Sequence, residues 1–376
     1  MSSTGSGADE AGRGAASRRR RTAELFDGLA GFDVGAITYE AAIRASLGQA
    51  IPLLTLWSLD RIDLGIYASF AAFTAIYGRS EPYRHRWLST LVAALCLVAS
   101  VFAGLAVRLA QLSDWAVAAG LAVIIAVTLP LSFVMQWIPR GALFFVFAYL
   151  AIANYPVPAD GPALPIAVTL ASAALSWCIV MSGWVLRRIG PVGARMRELP
   201  HVPERRIRSA TDPAVLRVTV FAILGALSAG FIASCLDVAS HHYWAMVTVA
   251  AIFANPVALV SFERLVHRVV GTLAGVGFAA ALFGGNPPSL FVIIVCVLCS
   301  FTVEAVIGSH YGVGLGFITP LAIGAANLGL TTDWETLFVD RSRETFIGAA
   351  VTFVIILFHR WRLQRHGVLR PSRSTD

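Results

Sequence analysis

The feature that most constrains this chain is a train of long apolar runs, separated by short segments that carry arginine. A hydrocarbon layer of ~30 Å takes about 20 apolar residues of α-helix to cross. Inside it, only a helix or a closed barrel satisfies its own backbone. The runs therefore predict an all-α, polytopic membrane fold with twelve spans. In the first set these are Tyr39–Leu59, Ile62–Tyr77, Trp87–Val107, Trp115–Trp137, Gly141–Asn154 and Leu164–Leu186. In the second they are Val215–Leu236, Tyr243–Leu259, Val269–Phe283, Leu290–Ser309, Tyr311–Leu328 and Thr345–His359. Gly141–Asn154 and Val269–Phe283 are short and read as extendable, partial or broken spans. Charged residues make up only 14% of the chain, whereas a soluble domain needs about 25% to cover its wet surface.

The 29 basic residues are all arginine and give a net charge of +7. They do not gather on a polar domain, so nucleic acid is not expected as a partner. With twelve spans and the N-terminus inside, 23 arginines fall in cytoplasmic segments and four (Arg61, Arg108, Arg341, Arg343) on the other side. A missed helix would invert everything after it, so this bias supports the span count and puts both termini in the cytoplasm of an inner-membrane protein. The expected organisation is a basic tail over 1–38, a membrane half over 39–186, an arginine-rich linker over 187–212, a second half over 213–360 and a tail over 361–376. The run Arg18–Arg21 is not followed by an apolar stretch with a small-residue cleavage site, so no signal peptide is read. Leu25, Phe26, Leu29 and Phe32 have helical spacing; a short interfacial helix and a disordered tail both fit them.

The halves resemble each other in order. Arg44 recurs as Arg217, Tyr67 as Tyr243, His85-Arg86 and Thr90-Leu91 as His267-Arg268 and Thr272-Leu273, and Leu150-Ala-Ile152 as Leu321-Ala-Ile323. Six spans per half is even, so the repeats are expected to be parallel and to enclose a cavity between them.

Several side chains can carry chemistry. Arg44, Arg86, Arg217 and Arg268 sit near the cytoplasmic ends of their spans. Together they can form a positive vestibule for carboxylate anions, or they can be anchors that snorkel to the headgroups. Glu40 lies one turn before Arg44 and can pair with it. Glu304 lies inside an apolar span, where a carboxylate is costly. It reads as a proton-coupling site, an ion-pair partner of a vestibule arginine, or a structural hydrogen bond. Tyr243 and Trp244 open a helix, as members of an aromatic belt or as a platform for an aromatic substrate. Asn255, Pro256 and Pro320 are candidate helix breaks. The glycines of Gly312-Val-Gly314-Leu-Gly316 read as close helix packing. Cys296-Val-Leu-Cys299 lacks a second ligand pair, so neither metal nor cofactor is expected. With no convergent nucleophile, base or metal cluster, catalysis is not expected either.

From Tyr243-Trp244-Ala245, through Asn255-Pro256 and Arg264, to Arg268-Val-Val-Gly271-Thr272-Leu273-Ala-Gly275, the chain resembles the fusaric acid resistance/aromatic acid exporter family. That family is in turn similar to plant aluminium-activated malate channels. The resemblance implies export of small organic, often aromatic, carboxylic acids. Better-known members carry a sizeable cytoplasmic domain that this chain lacks, and in the first half Ser89 replaces the motif glycine and Ala68 the tryptophan. A passive anion channel, and a structural or regulatory membrane subunit without flux, stand as alternatives. The expected partners are the lipid bilayer and a small organic anion, with a homodimer as one arrangement. In a cysteine-free background, single cysteines placed in 199–212 should react with a membrane-impermeant thiol reagent from the cytoplasmic side only. Reaction from the periplasm would overturn the orientation.

Overall fold

A computed structural model describes residues 38–189, 199–236, 242–254, 256–259, 262–330 and 332–365. The expected helix around Leu25–Phe32 and the candidate break at Asn255 lie outside them. Among the described residues there are twelve α-helices, one for each expected span. The first six are α1 (Tyr39–Ser58), α2 (Gly65–Ala72, between 3-10 turns Ile62–Leu64 and Phe73–Ile76), α3 (Tyr83–Leu109), α4 (Asp114–Val134), α5 (Leu143–Ala153) and α6 (Ala163–Leu186). The second six are α7 (Pro213–Leu236), α8 (Tyr243–Ile252, then a 3-10 turn Pro256–Leu259), α9 (Glu263–Phe283), α10 (Ser289–Val306), α11 (Tyr311–Asn327) and α12 (Trp334–Arg365).

Seven of these, α3, α4, α6, α7, α9, α10 and α12, are long and apolar enough to cross a membrane. Three segments expected as spans are shorter: Ile62–Ile76, Leu143–Ala153 and Tyr243–Ile252. At ~1.5 Å per residue, the α5 and α8 helices reach about half of a ~30 Å layer. They are apolar all round because protein surrounds them: all of α2 and nearly all of α5 and α8 are buried. The long helices instead present large apolar side chains outward, among them Leu95, Val123, Leu224, Phe231, Val270, Leu298 and Val354. Such faces suit lipid and not water.

The two sets of six pack alike. α3 lies on α5 and α6, as α9 lies on α11 and α12; α2 packs on α6, as α8 packs on α12. Between the sets, α1 packs on α10 and α7 on α4. Buried faces also keep step. α6 buries Pro165, Thr169, Ser172, Ala173, Ser176, Val180 and Gly183; α12 buries Arg341, Thr345, Gly348, Ala349, Thr352, Ile356 and His359, each 176 positions later. On α3 and α9 the step is 182 positions and pairs Arg86 with Arg268. For α1 and α7, a step of 177 positions matches Ala41, Gly48, Pro52 and Leu56 with Val218, Gly225, Ala229 and Ala233. That register corrects the pairing of Arg44 with Arg217. Arg44 is buried and Arg217 exposed, and the position equivalent to Arg217 is Glu40.

The largest departure from expectation is α12, which starts at Trp334 and not at Thr345. Hydropathy misses its first turns because Asp340, Arg341 and Glu344 are charged, yet all three are buried on the inner face. Arg341, expected in an outer loop, is thus inside the helix core. Pro320 also departs from expectation: α11 runs through it. After α8 the chain does change to a 3-10 turn at Pro256.

Close approach between α9 and α11 depends on small residues. A Cβ on Gly271 would lie 2.7 Å from the carbonyl oxygen of Gly312, and one on Gly275 would lie 2.7 Å from that of Gly316. Backbone cannot yield as a side-chain tip can, so a larger residue forces the helices apart at a cost of about 1–3 kcal/mol or more. Gly275→Val should lower Tm by several degrees in detergent, whereas Ala substituted at Gly277, where nothing lies within 4 Å, should leave it unchanged or slightly raised.

Candidate functional site

Three groups of buried charge lie among these helices. The first ties together the arginine-rich end of the first half. Glu40, in the first turn of α1, accepts from Arg86 Nη1 at 3.1 Å and from Arg187 Nη2 at 2.8 Å, and Arg44 lies 3.8 Å away. The Tyr83 hydroxyl donates to Glu40 at 3.4 Å, and the Arg86 guanidinium stacks 4.3 Å from the Tyr83 ring centre. Gly78, at φ +71°, makes room for this cluster, because a Cβ there would lie 2.8 Å from Arg86 Cγ. Arg44 and Arg86 are therefore matched by a protein carboxylate. Arg217 is exposed and does not join them.

The second group is one buried ion pair. Arg79, in the turn after α2, donates through Nη2 to Glu304 Oε2 at 2.5 Å and to the Glu304 carbonyl at 2.7 Å. Beside it Thr38 donates to the same carbonyl at 3.2 Å. This staples the start of α1 and the α2–α3 turn to the end of α10. In the same turn, Glu81 is buried, which pushes its carboxyl above the usual range, opposed by the Ser89 hydroxyl, His201 and Arg205. Arg205 of the linker donates to the His85 carbonyl at 2.7 Å and to Ser89 Oγ at 2.9 Å, so linker and turn share one end of the bundle.

The third group is different in kind. A narrow cavity is lined by α2 and α5 of the first half and by α8 to α12 of the second. One wall is aromatic: Phe70 meets Phe147 edge-on at 4.9 Å and Phe73 meets Phe144 at 4.9 Å. The lining also holds Arg268 from α9 and Arg341 from α12, each 1% exposed, together with Glu304 of α10, which is paired with Arg79. The charges of Arg268 and Arg341 are near enough to act on one another. Nε and Nη1 of both guanidinium groups have no hydrogen-bond partner among the described residues. Arg86, the equivalent of Arg268, has Glu40; the second half carries Arg217 where that carboxylate would stand. Arg264 does not reach the cavity and stacks on Tyr311 at 4.7 Å.

Tyr243 and Trp244 are buried, which corrects the reading of an aromatic belt. Trp244 lies under the Arg341 guanidinium at 4.9 Å, a cation–π contact that holds the charge in place. Neither aromatic is among the residues that line the cavity. One turn on from Arg341, Glu344 is 0% exposed, accepts from the Ala245 N–H at 3.1 Å through Oε2, and leaves Oε1 without a partner. Sequence reasoning missed Arg341, Asp340 and Glu344. The signal was present as helical spacing through 337, 340, 341, 344, 345, 348 and 352, a stripe of buried positions continuous with the apolar part of α12.

Fold and site together define an α-helical, multi-pass membrane protein with a cationic, aromatic-walled cavity among its helices. Residues 226–355 match the family of fusaric acid resistance protein-like proteins, which bears out the resemblance read from the α8–α9 motif. A 163-residue stretch, 43% of this chain, is 24% identical to the uncharacterized membrane protein YvaC of Bacillus subtilis (strain 168), of which it covers 25%. The chain thus spans about a quarter of that relative's length. No solved structure matches. The likeness to plant malate channels rests on the sequence motif alone.

Removing one member of a buried pair leaves the other charge uncompensated, at about 3–5 kcal/mol. Arg79→Gln should therefore lower Tm sharply, and the double variant Arg79→Gln/Glu304→Gln should recover much of the loss. Equal losses in single and double variants would contradict the pairing.

Proposed function

We propose that this protein carries small aromatic carboxylate anions across the inner membrane, outward as the family resemblance implies, with both termini in the cytoplasm. The observation that carries this reading is the pair of buried, incompletely bonded guanidinium groups of Arg268 and Arg341 in a cavity also lined by phenylalanine rings. A guanidinium presents two parallel N–H donors that fit a carboxylate. The phenylalanines offer edge and face contacts to an aromatic ring. In a cavity shielded from water a charge without a counter-ion is costly, and a bound carboxylate supplies that counter-ion. Arg44, Arg86 and Arg217 stand outside this site. The first two have Glu40, and Arg217 faces outward.

The repeated packing of the two helix sets supports a parallel two-fold arrangement about an axis along the membrane normal, with the cavity near that axis. Rocking of one set against the other would then open the cavity to each side in turn. The α1–α10 and α4–α7 contacts are the surfaces across which such rocking would occur.

Purified protein in proteoliposomes should exchange labelled benzoate for internal unlabelled benzoate, with a rate that saturates. Arg268→Gln and Arg341→Gln should each lower the rate by about 10- to 100-fold, as expected for losing hydrogen bonds to a charged group worth ~1.5–3 kcal/mol. Absence of exchange for any aromatic acid tried would count against transport, and flux proportional to concentration without saturation would favour a channel.

A further inference from the structure

Glu344 has no role in the contacts described so far beyond accepting from backbone N–H groups at the start of α8. Its carboxyl group is 0% exposed, and one oxygen of it has no partner among the described residues. We infer that Glu344 is the proton acceptor coupled to anion binding, so that the cavity takes up a carboxylate and a proton together as a neutral pair. This rests on the proposed carboxylate site and adds its energetics.

The charges around Glu344 set the sign of the coupling. On its own helix, Arg341 lies one turn earlier and Asp340 beside it, both buried, while Arg343 is exposed. From α8 come Tyr243 and the Ala245 N–H, with His242 as the residue that precedes the helix. From α9 comes Arg268, which acts on Arg341. The charge on α7, Arg217, acts on His359, about four turns further along α12. Arg341 and the N–H groups at the start of α8 favour the carboxylate form of Glu344, the latter through the aligned dipoles of a helix N-terminus, while burial and the neighbouring Asp340 oppose it, so the empty cavity holds Glu344 close to the balance between its two forms. When an anion binds Arg268 and Arg341, it neutralises the positive charge on which Glu344 depends. A buried carboxylate without a counter-charge is costly, so a proton from solvent adds to Oε1 while Oε2 keeps its Ala245 hydrogen bond. Linkage requires the reverse as well: protonating Glu344 tightens anion binding.

Glu304 does not fill this role, because Arg79 compensates it whether or not the cavity is occupied. A neutral pair moves no charge. Outward flux would therefore follow the gradient of the acid itself and draw nothing from the membrane potential.

Isothermal titration of the full-length protein in detergent with benzoate, which stays ionised between pH 6 and 8, tests this. Run in two buffers of different ionisation enthalpy, it should show proton uptake that rises with pH towards one per benzoate and a Kd that weakens over the same range, by up to roughly tenfold per pH unit. Glu344→Gln should bind at least as tightly as wild type at pH 6, without pH dependence or proton uptake. Glu344→Asp should keep both, which guards against a variant that fails to fold. Wild-type binding with no proton uptake, or undiminished uptake in Glu344→Gln, would overturn the inference while leaving the carboxylate site intact. No benzoate binding at any pH would overturn the site and the inference together.

Discussion

A guanidinium held away from water must find a counter-charge, and the arrangement of buried charge in this protein follows from how each arginine meets that demand. Arg44, Arg86 and Arg187 share Glu40, and Arg79 takes Glu304. These pairs fasten helix ends across the bundle and stabilise one arrangement of α1, α3, α6 and α10. Among the described residues Arg268 and Arg341 have no such carboxylate within bonding reach, and theirs are the guanidinium groups that line the cavity. The same physics that makes the first set structural is what motivates the proposal that the second receives an anion.

Asymmetry between similar halves is the second theme. The two sets of helices bury matching faces, so a charge can be compared directly with its counterpart. Arg86 and Arg268 are equivalent, but Glu40 is answered by Arg217, and Arg341 and Glu344 stand where the first half has Pro165 and Val168. One half has closed its arginine with an internal carboxylate. The other has kept its arginine open, added a second, and set an ionisable carboxylate behind it. A cavity at the junction of the two sets is where such a difference can act on a ligand.

Much of the architecture was legible from apolar run length, because lipid imposes one rule on every span. Twelve segments were expected and twelve helices are present among the described residues, with ends that differ by a few residues in most cases. Where the reading failed, hydropathy was measuring the wrong environment. Leu143–Ala153 and Tyr243–Ile252 are apolar because protein surrounds them, so their composition matches a span although their length does not. The start of α12 failed in the opposite sense: Asp340, Arg341 and Glu344 lowered its hydropathy, although they point into the bundle and not into water. Motif order identified Arg268 as notable, but only packing separates it from Arg44 and Arg86, since ion pairing joins residues far apart in sequence. Arg79 and Glu304, 225 positions apart, could not have been matched by inspection.

The account depends on Arg268 and Arg341 acting as one receptor for a carboxylate. A structure determined with a bromine-labelled benzoate addresses this most directly, because the bromine locates the ring independently of the rest of the density. The expected result is a carboxylate within hydrogen-bonding distance of both guanidinium groups, with its ring against Phe70 and Phe147. An empty cavity with both arginines bonded to protein carboxylates would contradict it.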